Sequence, residues 1–549
     1  MPHRLPLRTI AIMVLAAWAW VGGSALRAAP KEAMAGVDDK WRYYRSPNFE
    51  LYSRNSESES RELLHNLELL RSVSQERFKF AERAKLEVTV FYFRTVEDFR
   101  AYGADFYGKG NFFKGYYLAR PDRAVIAMSP TETTDGAQRM IFHEYVHHLF
   151  RTAEDDPPVW FNEGMAELLA GMRIDGDSIE IGHPHAGRLR ALRAEKLLPL
   201  ETLFSVTHQS PVYRSSDHTG LFYAQSWALL HYWYCGDTNF PPDAVKKFLR
   251  VAADRKSAAA ADLRAVFKEC FGFDYAEMER RLDRYVIGGS YRYSRQPAPK
   301  IDKPAAYEMR PVPRDEIRVR LAELALRANR APFAKLQLLE AIEKNPADPR
   351  PFEVLGVEAL VDRDENGARD RWEQAVAAGT RNVAIYRELG LIESRAWFQQ
   401  FDYNFRLPRE TTERLRSRLQ RSIEYAPQQS AAYEMLAWVE AFAEEPSIPN
   451  LNKVQAQFNG LQKKQRTLLA LAFVRVRVDK PDDARALLDQ LDKMDPDAWT
   501  ARGAEIVRAK LEGRRPRRAE GATTTPGKPR QFMPAAPLKV PAMEVPNAK

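Results

Sequence analysis

Residues 141–167, reading IFHEYVHHLFRTAEDDPPVWFNEGMAE, constrain this chain more than any other stretch. Ile141, Phe142, Val146, Leu149 and Phe150 recur at helical spacing, which predicts a largely buried helix. A buried helix carrying His143, Glu144 and His147 must find partners for three polar side chains. His143 and His147 are related as i and i+4, so they stand one above the other on one helix face. Two imidazoles so placed can share one metal ion, with Glu144 a step round the helix and within reach of a water activated there. Asp155-Asp156-Pro157-Pro158 must end that helix, because proline cannot continue it. The stretch from Trp160 through Asn162, Glu163 and Gly164 to Glu167 restarts a helix running back, which offers Glu163 as a third ligand. Glu167 follows four residues later on the same face, where it can hydrogen-bond a ligand histidine. The competing reading is a charged surface helix, and the apolar flanks weigh against it.

The sequence H-E-x-x-H followed by N-E-G-x-A-E resembles the gluzincin metallopeptidases, and more narrowly the bacterial peptidase-MA-like proteins. That resemblance implies an α+β zincin-like metallopeptidase domain holding one Zn2+ per chain. Its ligands would be His143, His147 and Glu163, with Glu144 as general base and a peptide or protein as substrate. The spacer between the motifs is shorter than in the zinc aminopeptidases, and their substrate-amine motif is not apparent upstream. The resemblance therefore carries no aminopeptidase assignment. It spans residues 37–288 and is strong only over 141–167.

Eight of the ten histidines lie between His143 and His231. His148 is turned about 100° from His147 on a helix and is expected to face elsewhere. His183 and His185 follow an apparent hairpin at 173–182 and read as ordinary loop residues, with metal binding the alternative. The aromatic stretch 221–234, LFYAQSWALLHYWY, predicts a buried helix. Peptidase-MA-like proteins tend to open a helix there with a similar Y-A-Q-S-W. Zinc peptidases need a donor for the oxyanion of the tetrahedral intermediate. Tyr223 is the candidate and His218 the second, against a purely packing role for Tyr223.

Upstream, residues 48–53, 86–93, 113–119 and 123–128 read as strands, and 57–79 and 96–102 as helices. By resemblance, 123–128 would be the edge strand that pairs with extended substrate. Asp135 and Gln138 form a capping pair for the metal helix. Helices are expected at 244–253, 261–270 and 275–286, closing the domain.

The chain of 549 residues has room for two or three domains. Arg4 and Arg8 precede an apolar run over 10–21, broken by Gly22-Gly23-Ser24, so residues 1–29 read as an export signal. The 18 residues between Arg8 and Arg27 are the short end of a spanning helix, so an uncleaved membrane anchor is the alternative. The expected location is a bacterial periplasm or beyond. Three arginines in that segment and a net six positive charges from residue 513 onward account for the whole formal charge of +9. The body between is neutral, which argues against a nucleic-acid surface. Cys235 and Cys270 either pair in an oxidising compartment or stand as separate thiols.

Residues 289–314 read as a Pro-rich, basic linker, and helix follows helix over 315–512. Leu355-Gly356 recurs as Leu389-Gly390 one 34-residue period later. Leu436-Ala437 follows after a further repeat with an insertion around 397–408. That period resembles tetratricopeptide repeats and implies an all-α solenoid whose concave face recruits a protein partner, or a purely structural helical domain. Residues 513–549 are expected to be a disordered basic tail. The expected function is thus an exported zinc metallopeptidase. The alternatives are a non-catalytic periplasmic scaffold built on the repeats and a zinc hydrolase of a non-protein amide.

Overall fold

The structure is a computed structural model. It describes residues 37–514 except 79–85, 104–114, 130–133, 153–156, 215, 237–241, 254–262, 329–330, 400–403, 428–429, 459–463, 495 and 497. The expected export segment, 1–29, and the tail from 515 lie outside the described residues.

A mixed sheet forms first. β1 (Arg42–Arg45) and β2 (Phe49–Ser53) pair antiparallel. α1 (Glu57–Arg77) starts on a capping box, with the Ser56 hydroxyl accepting from the Glu59 N–H and the Glu59 carboxylate from the Ser56 N–H. It carries the chain back so that β3 (Glu87–Tyr92) runs parallel to β2. After α2 (Val96–Arg100), β4 (Gly115–Ala119) and β5 (Arg123–Met128) pair with each other antiparallel, and β5 is parallel to β3. The order is β4-β5-β3-β2-β1-β9, where β9 is Glu308–Pro311.

Both faces of this sheet are covered. Phe49, Leu51, Val88, Val90, Ala124 and Ile126 share a core with helices α1, α3 (Thr134–Thr152) and α4 (Val159–Ala170). The alternate residues Tyr52, Phe91, Phe93, Val125 and Ala127 face the first helices of the C-terminal half. Period-2 alternation thus divides one strand between two cores, and strands buried on both sides read as continuous apolar runs.

Beyond α4 come the hairpin β6 (Arg173–Asp175) and β7 (Ser178–Ile181), then α5 (Ala186–Ala194), α6 (Leu200–Ser205), α7 (Pro211–Arg214) and α8 (Ser216–His231). A π-helical turn, Tyr232–Gly236, ends α8. Helices α9 (Pro242–Ala253), α10 (Leu263–Phe271) and α11 (Tyr275–Gly288) close this half. Cys235 and Cys270 are separate, half-buried thiols.

Two expectations need correction. The segment 289–314 is no free linker: β8 (Ser294–Pro297) pairs with β7, and β9 completes the main sheet on β1. Its proline and polar content suits edge strands as well as linkers. β5 is not an edge strand either, since β4 lies outside it. Its six residues are all buried, as an interior strand requires. The expected capping pair is only half described. Gln138 accepts from the Asn66 side chain on α1 at 3.0 Å, while the side chain of Asp135 lies outside those described.

The C-terminal half is a helical repeat region. Its helices are α12 (Arg314–Arg327), α13 (Ala331–Lys344), α14 (Arg350–Val361), α15 (Glu365–Ala377), α16 (Val383–Gln399) and α17 (Arg409–Tyr425). They continue through α18 (Ser430–Phe442), α19 (Ile448–Gln457), α20 (Lys464–Arg477), α21 (Pro481–Asp492) and α22 (Ala498–Leu511). Successive helices pack as hairpins, and alternate helices stack on one another. Gly356 sits against the Trp372 indole and Gly390 against Met435, so the recurring glycine marks places where a side chain of a neighbouring helix packs close.

The repeats are welded to the sheet by buried charge. Arg123 on β5 pairs with Glu353 on α14, with Glu87 at 3.1 Å and with Glu323 on α12 at 3.5 Å. Arg327 grips Asp122 at 3.1 and 2.5 Å, and Arg350 reaches Glu323 at 2.8 Å and Glu50 at 3.4 Å.

Candidate metal centre

Two helices and one turn build the centre. The apolar stripe Ile141, Phe142, Tyr145, Val146, Leu149 and Phe150 seats α3 in the core and leaves His143 and His147 on the opposite edge. Pro158 caps α4, which brings Glu163 across to face them. Gly164 lets this happen: a Cβ there would stand 2.7 Å from the Ser226 carbonyl oxygen and 2.8 Å from Leu230 on α8. Only glycine allows α4 and α8 so close.

His143, His147 and Glu163 offer ligand atoms that all lie within 4.8 Å of one another. The two Nε2 atoms are 3.1 Å apart, and each is 3.4 Å from Glu163 Oε2. A tetrahedral ion with bonds of about 2.0–2.1 Å spaces its ligand atoms about 3.3–3.4 Å apart, close to this triangle.

The other side of each ring is already engaged. His147 Nδ1 donates to Asn162 Oδ1 at 2.8 Å, and His143 Nδ1 faces Glu167 Oε1 at 3.3 Å. With the protons so assigned, both Nε2 atoms present lone pairs to each other and to a carboxylate. Glu163 Oε2 is buried without a hydrogen-bond donor. Three converging electron pairs repel unless a cation lies among them, so the donor set fits a small divalent ion with nitrogen and oxygen ligands.

The carboxylates favour positive charge at this point, whether it is carried by a proton or by a metal ion. Burial opposes ionisation of His143, but Glu163 and Glu167 carry its pKa up to about 10. Burial would raise Glu163, yet His147 and His143 hold it well below the usual carboxylate range. Glu144 behaves oppositely: burial raises it against the pull of both histidines, and its Oε2 has no partner. A carboxyl of raised affinity for protons beside a cation site is suited to general-base work.

Three neighbours were not anticipated from the sequence. Arg188 on α5 clamps Glu167 at 2.6 and 3.0 Å and lies 5.1 Å over the Tyr223 ring. Tyr213 on α7 donates to Glu163 Oε1 at 3.0 Å. Asn162 orients His147, as above. Tyr223 is 2% exposed, with its ring 6.1 Å from that of His143. Its ring stacks on that of Tyr213 with centroids 6.2 Å apart, which places it beside the tyrosine that holds Glu163. The side chain of His218 lies outside those described.

Three further histidines among the described residues lie apart from the triangle. His148 pairs through Nδ1 with the Tyr117 hydroxyl at 3.0 Å, and burial lowers its pKa to about 3. His183 pairs with Glu180 at 2.8 Å, while His185 precedes α5 as its N-cap without joining the centre. His143 and His147 keep 14% and 15% side-chain exposure against 5% for Glu163, so the centre opens on its histidine side.

No family model matches the chain, and no curated protein matches it. Among solved structures, a thermophilic TPR protein from Thermus thermophilus matches 36% of this chain and 97% of that one, at 19% identity and a TM-score of 0.20.

Proposed function

We propose that the chain is an exported zinc metallopeptidase of gluzincin type with a zincin-like catalytic half and tetratricopeptide-like repeats. The observation that carries this reading is the triangle of His143, His147 and Glu163, with the Glu144 carboxyl beside it holding one buried oxygen, Oε2, without a hydrogen-bond partner. Zinc held by those three residues would supply a Lewis acid, which lowers the pKa of a water to roughly 7. Glu144 takes the proton of the attacking water and delivers it to the leaving amine. Asn162 and Glu167 fix the two imidazoles through their Nδ1 atoms, and Arg188 keeps Glu167 ionised. Tyr223 stands on the Glu163 side beside Tyr213, where its hydroxyl can steady negative charge on a peptide carbonyl. The repeats recruit a peptide substrate or a protein partner through their concave face.

Purified mature protein and its Glu144→Gln variant, assayed on a peptide library with metal content measured beside activity, test this. Zinc is expected at one per chain in both, absent from His143→Ala and Glu163→Ala, with turnover in Glu144→Gln down at least about 10²-fold. Equal turnover, or zinc that ignores Glu163, would overturn the proposal.

A further inference from the structure

The C-terminal turn of α3, one turn beyond His147, comes together with the β4–β5 turn and α16, and each brings an arginine. Arg151 is the last basic residue of α3. Its Nε and Nη2 atoms are buried and have no hydrogen-bond partner. Arg120 follows β4, half-buried, in the turn closed by its N–H to Arg123 O at 2.9 Å. Arg387 on α16 donates to the Pro121 carbonyl at 2.8 Å, which fixes it on the same turn.

Among the described residues, counter-charge is short here. Asp122 is taken by Arg327 and Arg123, and Glu388 by Arg387. Glu358 on α14 forms no ion pair with Arg120, and burial and Asp362 push its own pKa up. Tyr117, the other group facing Arg151, is bonded to His148. Burial first and then neighbouring guanidinium groups depress the pKa of both Arg120 and Arg151: Arg151 feels Arg387 against the pull of Tyr117, and Arg120 feels Arg327 and Arg151 against the pull of Glu358 and Asp122. Withdrawing guanidinium groups from water without anions is costly, and guanidinium recognises oxyanions through paired N–H bonds.

We propose that Arg120, Arg151 and Arg387 bind a small tetrahedral oxyanion of the phosphate or sulfate class. Three guanidinium groups from three directions need at least three acceptor oxygens, which a tetrahedral anion has and a carboxylate lacks. The bound ion ties the helix bearing His143 and His147 to the repeat region.

Thermal unfolding of the full mature chain is the test, in phosphate, sulfate, glycerol phosphate and chloride at equal ionic strength. Phosphate and sulfate stabilise proteins generally, so the readout is the difference between the parent and Arg151→Gln or Arg120→Gln. The parent is expected to gain about 3 °C more in phosphate than either variant. Both variants should melt higher than the parent in chloride, because a repulsive charge is gone. Stabilisation by glycerol phosphate as well would show that the oxyanion can be the end of a larger molecule, and stabilisation by the free ions alone that it is a free ion. Calorimetric titration of phosphate should weaken at least 10-fold in Arg151→Gln. Equal gains in parent and variants, or an unchanged titration, would overturn the site.

Discussion

Arg123 and Glu353 form a buried ion pair between a central strand and the second repeat hairpin, with side chains 1% and 4% exposed. The pair belongs to a network in which Glu353 also accepts from Thr380 and Asn382. Removing one partner strands the other charge in a medium that solvates it poorly. Glu353→Ala should therefore cost about 3–5 kcal/mol, read from urea unfolding. Ending the chain at residue 313 should be worse, because it bares the sheet face of Tyr52, Phe91, Phe93 and Val125. That product should be insoluble or bind a hydrophobic dye.

Gly164→Ala tests whether the helix approach sets the metal centre. The added methyl meets the Ser226 carbonyl, so α4 must withdraw from α8 and carry Glu163 with it. A stability loss of about 1–3 kcal/mol is expected, together with weaker zinc binding in a competition titration. Unchanged affinity at reduced stability would show that α4 moves without disturbing Glu163.

Arg188→Gln tests support of the ligand set from behind. With its clamp gone, Glu167 no longer holds the His143 ring in place, and zinc affinity should fall about 10–100-fold with the circular dichroism spectrum unchanged. Arg188→Lys should recover only part of this, since an ammonium cannot reproduce the paired contacts to Glu167.

His231 should make stability depend on pH. It is fully buried, with Nε2 on Gly182 O at 2.8 Å and Nδ1 on the Tyr285 hydroxyl at 2.7 Å, and burial lowers its pKa to about 4. The unfolded chain takes a proton near pH 6.5 that the folded chain refuses until about pH 4. Its contribution is whole above pH 6.5 and falls as pH drops, by about 3 kcal/mol at pH 4. Urea midpoints at pH 7 and 4.5 should converge in His231→Gln relative to the parent.

The residues that meet in the triangle were legible because helical spacing alone stacks His143 on His147 and an adjacent proline turn returns Glu163. The residues behind them were not. Arg188 is one of three arginines on α5, and only packing against α4 distinguishes it from Arg190 and Arg193. Tyr213 reaches Glu163 from a four-residue helix across a gap of 50 positions, which no periodicity encodes. The repeat period was legible because glycine recurs where helices touch. The strand order was harder: β8 and β9 are short and polar, so they look like loop until a partner strand supplies their hydrogen bonds. The apolar run of β5 held a signal that was overlooked, since an edge strand seldom buries all its residues.

The place of β9 also sets a timetable. β1 is among the first strands made, yet the strand that covers its outer edge spans Glu308–Pro311 and follows every residue of the candidate metal centre. A chain emerging from its N-terminus therefore carries an open, aromatic-rich edge at Tyr43 and Tyr44 throughout synthesis of α3 to α11. Open edges invite pairing with other chains, so the growing polypeptide depends on shielding until residue 311 has arrived.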